Sequence, residues 1–148
     1  AGEIVKNISE GLYRNTVAVK INGELVKCNN FTTNSDGSQI VKLEEIGKIG
    51  DFELTCKAKE LDGIRGFTIR FGVAENLYYR WECAGWQNQD SAVCSHTNNR
   101  EAVLAHECRT IEQGRVYELK LKVENNTVSC YIDGEMVHSV KVNKTVTL

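Results

Sequence analysis

The chain has 148 residues, with 18 Lys and Arg against 20 Asp and Glu, for a formal net charge of −2. That length suffices for one domain with a two-layer core, and a near-neutral chain without a basic run excludes an electrostatic nucleic-acid binder. No stretch reaches the ~18 apolar residues of a membrane-spanning helix, the sequence shows no charged-then-apolar leader, and a start at Ala1 without a Met fits a processed product or an excised module.

Along the chain, short runs of period-two alternation dominate. Residues 16–21 and 24–28 flank Asn22-Gly23, a two-residue hairpin signal. Residues 29–38 are polar and turn-rich, and 39–43 predict a further strand. Phe52, Leu54, Cys56 and Ala58 then alternate with Glu53, Thr55, Lys57 and Lys59. Residues 66–88, GFTIRFGVAENLYYRWECAGWQN, predict a hairpin with one strand through Phe71, a loop around 74–76 and a second strand over 78–83. Residues 99–109 fit a helix or an irregular strand equally well. Tyr117, Leu119, Leu121 and Val123 alternate with Glu118, Lys120 and Lys122, and Val128, Cys130 and Ile132 follow. Asp133-Gly134 then turns the chain into a returning strand over 135–142. Many short strands with one apolar face each imply an all-β fold, a two-sheet antiparallel sandwich of the jelly-roll kind, with residues 1–148 as a single domain. Its expected core comprises Phe52, Leu54, Phe67, Ile69, Phe71, Tyr79, Trp81, Leu119, Leu121 and Ile132.

The hairpin at 66–88 has a register that the pattern itself decides. Opposing Phe71 to Tyr79, Ile69 to Trp81 and Phe67 to Cys83 makes one face wholly apolar. A one-residue slip would drive Arg80 and Glu82 into the core, at several kcal/mol per unpaired charge. The other face then carries Thr68, Arg70, Tyr78, Arg80 and Glu82. Arginine and glutamate supply donors and acceptors for vicinal hydroxyls, and tyrosine a flat apolar ring with a polar tip. Trp86 and Asn88 follow in the turn Ala84-Gly85-Trp86-Gln87-Asn88. Trp86 is either a stacking platform for a sugar ring or a lid over the end of the sandwich. Arg70, Tyr78, Arg80, Glu82, Trp86 and Asn88 are the candidate ligand-binding residues, against the plainer reading of Arg70, Arg80 and Glu82 as a cross-strand charge cluster.

Cys56, Cys83 and Cys130 lie on apolar phases and read as core thiols; a bridge within Cys83, Cys94 and Cys108 is the alternative. Neither the cysteine spacings nor His96, His106 and His138 form a metal or nucleophile pattern, so no catalytic or metal-ligating residue is predicted. No cofactor is expected. Calcium often braces such sandwiches, but the acids here show no calcium-loop spacing.

The run YYRWECAGWQN, followed by YELKLKVENNTVSCYIDGEMVHSV, resembles the concanavalin A-like (laminin-G-like) module attached to bacterial family 51 α-L-arabinofuranosidases. In such modules an aromatic strand leads into a Gly-Gly-Trp-Gly-Asn turn, and a strand ending in Tyr-x-Asp-Gly closes the fold. Here Ala84 and Gln87 replace two of those glycines, whereas Tyr131-Ile132-Asp133-Gly134 matches. The resemblance covers roughly residues 51–140. It implies a non-catalytic carbohydrate-binding module of a plant-polysaccharide-degrading enzyme, secreted or cell-associated in a bacterium. Its partners would be a cell-wall polysaccharide or oligosaccharide and the catalytic domain of the same parent chain, with no nucleic acid or membrane. A purely structural sandwich packed on a catalytic barrel is the second reading. A small jelly-roll glycoside hydrolase is the third, but the E-x-D-x-x-E strand of lectin-like glucanases is absent. Arabinofuranosidase chemistry itself belongs to a barrel of ~250 residues, too large for this chain.

Overall fold

The computed structural model describes residues 18–26, 30–33, 39–42, 51–60 and 66–142. Its strands are β1 (Ala18–Ile21), β2 (Glu24–Val26), β3 (Asn30–Thr33), β4 (Gln39–Lys42), β5 (Phe52–Lys59), β6 (Phe67–Ala74), β7 (Leu77–Ala84), β8 (Asp90–Thr97), β9 (Arg100–Cys108), β10 (Val116–Glu124), β11 (Thr127–Ile132) and β12 (Glu135–Lys141). All pair antiparallel, in a six-stranded sheet ordered β12-β11-β10-β5-β1-β2, a four-stranded sheet ordered β6-β7-β8-β9, and a ribbon of β3 and β4. This is the two-sheet sandwich that the alternation predicts. Residues 16, 17, 27, 28 and 43, included in the predicted strands, lie outside the described residues.

Turn chemistry sets the hairpins. Asn22-Gly23, Asn98-Asn99, Asn125-Asn126 and Asp133-Gly134 all hold positive φ at both positions. That is the geometry of the tight turns whose twist matches the flanking strands, and Asn, Asp and Gly adopt it at least cost. Two of the four turns carry no glycine and were less visible in the sequence. Residues 30–33, predicted as polar loop, pair with 39–42 as a strand. Backbone pairing there overrides weak local patterning. The ambiguous segment 99–109 resolves as the edge strand β9.

The core forms where the inner faces of the two large sheets meet. β5 and β10 alternate buried and partly exposed residues as the sequence does, and Leu119 and Leu121 are fully enclosed. Phe52, Leu54, Phe71, Tyr79, Trp81 and Ile132 complete the expected buried set. Phe67 and Ile69 are the exceptions, only half-buried against the cluster. Both lie on β6, an edge strand of its sheet, so neighbours cover them from one side only. Cys56, Cys83 and Cys130 are buried as expected. Cys83, Cys94 and Cys108 carry separate thiols. Cys83 shares the inner face with Trp81, whereas Cys94 pairs with Arg80 on the outer face, so the sheet stands between them. Burial pushes the Cys83 thiol up to about 12.

Among the described residues, a polar chain crosses this core. Trp81 Nε1 donates to Ser91 Oγ at 3.3 Å, and Ser91 Oγ lies 2.8 Å from His138 Nε2. Ser91 sits on β8 and His138 on β12, so this chain ties one sheet to the other. Buried polar atoms left unpaired cost about 1–3 kcal/mol each, which makes the tie specific. Burial holds the His138 imidazole below its ordinary value of 6.5, with Glu107, Arg109 and His106 as the charged neighbours.

Two outcomes are expected from this core. Leu119→Ala should lower stability by about 2–4 kcal/mol in urea denaturation, since it opens a cavity between two sheets. Because the unfolded chain protonates His138 before the folded chain does, the native state should lose stability as pH falls below 6.5. His138→Gln should flatten that part of the profile in melts taken between pH 7 and 5; an unchanged slope would contradict the role of burial.

Candidate functional site

The four-stranded sheet turns its second face outward. The observed register opposes Phe71 to Tyr79, Ile69 to Trp81 and Phe67 to Cys83, the register that charge burial favours. Arg70 therefore lies opposite Arg80, and Thr68 opposite Glu82, on the outer face. The register of β7 with β8 adds His96 opposite Tyr78, Cys94 opposite Arg80 and Ala92 opposite Glu82. On β9, Glu101 lies opposite His96, and His106 opposite Ala92.

Arg80 is the centre of this face. Its Nη2 lies 3.2 Å from Glu82 Oε2 and 3.3 Å from Glu101 Oε2. To reach Glu101 the side chain passes from β7 over β8 to β9, and the residue beneath it is Cys94, fully enclosed. Cys94 is small enough for the Arg80 side chain to pass over it to Glu101. Burial raises the Cys94 thiol above its usual value. Glu101 also stands 3.2 Å from His96 Nε2, off hydrogen-bond alignment. Arg80 Nε and His96 Nε2 are buried without hydrogen-bond partners among the described residues. Such orphaned polar atoms are uncommon in folded proteins and call for a partner.

Tyr78 departs from its expected role. The Arg70 guanidinium lies 5.2 Å from its ring centroid, and the His96 ring stacks on it at 4.3 Å and 10°. Arg70 comes from β6 and His96 from β8, on either side of β7, so both flanks of the ring are occupied. A sugar ring has no free tyrosine face to stack on here, and Tyr78 offers its hydroxyl instead.

The turn after β7 carries the exposed aromatic. Trp86 is 44 % exposed, so a large part of its ring is open to solvent. Gly85–Asn88 form a single left-handed turn: Trp86, Gln87 and Asn88 have φ of 47, 64 and 60°, and Gln89 N donates to Gly85 O at 3.0 Å. Ala84 precedes them at φ 57°. Left-handed backbone costs a residue with a side chain about 1–2 kcal/mol, so the surroundings must hold the turn in place. Asn88 is part of that hold. Its amide donates to Ile111 O at 3.0 Å and accepts from Ile111 N at 2.8 Å. Its amide is thereby engaged by the backbone, and Asn88 positions the turn rather than facing a ligand. Glu82 lies directly against Gly85, where a Cβ would collide with its carboxylate.

Arg70, Tyr78, Arg80 and Glu82 are thus brought together, with Trp86 in the turn beside Glu82. His96 and Glu101 belong to the same face and were not singled out in the sequence. Among the described residues no three His, Cys, Asp or Glu side chains converge as metal ligands. The face can donate and accept hydrogen bonds in alternation across a few ångströms, the pattern a polyhydroxyl ligand requires. Glu82 and Glu101 grip one guanidinium between them rather than flank an open gap for a glycosidic bond.

No protein-family model matches the chain. Over 86 residues it is 36 % identical to an extracellular exo-alpha-L-arabinofuranosidase of Streptomyces chartreusis, a stretch that makes up 57 % of this chain and 10 % of that protein. The chain thus spans about a tenth of that relative's length. Among solved structures, the carbohydrate-binding module CBM66 from Bacillus subtilis superposes with a TM-score of 0.62 at 16 % identity, over 80 % of this chain and 79 % of that one. Domain 4 of AbnA, a GH43 extracellular arabinanase from Geobacillus stearothermophilus solved in complex with arabinotriose, gives a TM-score of 0.44 at 12 % identity, over 89 % and 71 %. The first superposition establishes the fold, a β-sandwich of the carbohydrate-binding-module type; the second is too loose to add to it.

The collision at Gly85 supplies a test of the site's geometry. Gly85→Ala should keep the fold, lower stability by about 1–3 kcal/mol and push Glu82 away from Arg80. Arginine side-chain NMR signals should report the broken 3.2 Å pair; an unmoved Arg80 signal would mean that Glu82 does not hold it.

Proposed function

We propose that this chain is a non-catalytic carbohydrate-binding module of an arabinofuranosidase-type enzyme, of the kind attached to family 51 members, that acts on plant cell-wall polysaccharide. The observation that carries this reading is the outer face of the four-stranded sheet, where Arg80 is gripped by Glu82 and Glu101 beside Tyr78, His96 and Arg70. Trp86, exposed in the adjacent turn, supplies the stacking surface that Tyr78 cannot. The sandwich fold and the partial likeness to an enzyme named as extracellular support a secreted module that folds as one domain and serves a catalytic domain in the same parent chain. No described helix is long and apolar enough to cross a membrane.

A second reading has one observation in its favour. Arg80, Glu82 and Glu101 already satisfy much of one another's bonding, as in a face that only packs on a catalytic domain.

Affinity electrophoresis over arabinan, arabinoxylan, xylan and β-glucan separates the readings. One stacked ring and a few hydroxyl contacts should give a Kd of roughly 10 μM to 1 mM. Arg80→Ala should abolish retention in a chain that still folds, at a cost of about 1–3 kcal/mol in stability, because it leaves the largely buried Glu82 carboxylate without its partner. Trp86→Ala should weaken binding by about 1–3 kcal/mol without lowering the melting temperature. A wild type that retains no glycan establishes the packing reading. Sugar release from aryl arabinofuranosides, lost in Glu82→Gln, would make the chain a hydrolase.

A further inference from the structure

Strand β9 changes phase halfway along. From the hairpin end, Arg100 pairs with Thr97, Glu101 with His96, Ala102 with Ser95 and Val103 with Cys94. The next pair is Ala105 with Val93, which leaves Leu104 with no residue opposite. One extra residue on one strand is a β-bulge, and beyond it every side chain exchanges faces. Counted back from Ala105 without the bulge, Glu101 would stand opposite Thr97, in the phase of Trp81 and Val93 that faces the core. With the bulge it stands opposite His96, and its carboxylate meets Arg80 Nη2 at 3.3 and 3.4 Å. Folding stability alone does not account for this device. The bulge leaves Val103 56 % and Leu104 36 % exposed and delivers a charged residue to a partly buried arginine.

We infer that Glu101, aimed by the Leu104 bulge, is a positioning and specificity residue of the sugar-binding face. This rests on the reading of that face given above. A lone arginine on a sheet surface samples many rotamers, and ligand binding must stop that motion. Gripped by Glu82 on β7 and Glu101 on β9, Arg80 is immobilised over Cys94 before any ligand arrives. The remaining lone pairs of Glu101 accept from sugar hydroxyls next to the hydroxyls or ring oxygen that Arg80 donates to. The ligand chemistry this suits is a neutral sugar with adjacent free hydroxyls, because an acidic sugar would bring its own carboxylate against Glu82 and Glu101.

Binding to soluble arabinan and to polygalacturonate, by affinity electrophoresis with parallel thermal melts, tests the assignment. The variants are Arg80→Ala, Glu101→Ala and Glu101→Gln. Glu101→Ala should weaken arabinan binding about tenfold or more, the loss that follows removal of a charge-assisted hydrogen bond, with the melting temperature held. Glu101→Gln should recover part of the arabinan affinity and reduce the discrimination against polygalacturonate. Loss of binding in Arg80→Ala with wild-type binding in Glu101→Ala would overturn this inference and leave the site standing. Arabinan binding indifferent to Arg80→Ala would remove both, as would a wild type that binds no glycan.

Discussion

Strand β7 has to serve two environments at once, and that constraint organises the rest of the molecule. Tyr79, Trp81 and Cys83 face the core, so Tyr78, Arg80 and Glu82 can only face outward. Trp81 is the largest side chain fully enclosed by the protein, and its indole N–H must find a partner because water cannot reach it. It finds Ser91, which in turn meets His138 from the opposite sheet. The same residue thus sets the register of the central hairpin and ties the two layers together. A slip of one position would lose that burial and strand two charges, which is why the register is single-valued.

The outer face is built on the neighbours that this register selects. Small residues at 94 and 92 stand opposite Arg80 and Glu82, so the Arg80 guanidinium can pass over β8 to Glu101. The turn after β7 adds a different kind of order. Four residues with side chains, Ala84, Trp86, Gln87 and Asn88, hold left-handed backbone around Gly85. The two-way grip of Asn88 on Ile111 keeps the strained turn closed and leaves Trp86 outside. Two of these four positions are glycine in the modules whose motif the chain resembles. Glycine adopts left-handed backbone without strain, so the loop shape and the glycines of that motif have one physical cause. Strain that neighbours maintain at an exposed aromatic suits a surface that must be rigid before it binds.

Legibility differed from one residue to the next for physical reasons. Arg70, Tyr78, Arg80 and Glu82 were readable as one face because two neighbouring strands with clean alternation leave a single register without buried charge. Glu101 was not readable, since the Leu104 bulge inverts the phase of β9 and nothing in a run of Arg100-Glu101-Ala102-Val103-Leu104 announces it. His96 was visible as a residue but not as a partner, because its place beside Tyr78 depends on the pairing of β8 with β7. Tyr78 was placed on the correct face with the wrong exposure. Whether an aromatic ring is open or covered depends on cross-strand neighbours that sequence order does not bring together.

By itself, then, the sequence determined the sandwich architecture, the identity of most core residues and the register of its central hairpin. Each of these follows from separating apolar from charged side chains at a period of two, which is a local property of the chain. Tertiary structure alone decided that Phe67 and Ile69 sit at an edge, that Asn88 clasps a backbone, and that residues 80, 82 and 101 converge. These depend on which strand lies beside which and on one unpaired residue in β9, and no local pattern carries that information.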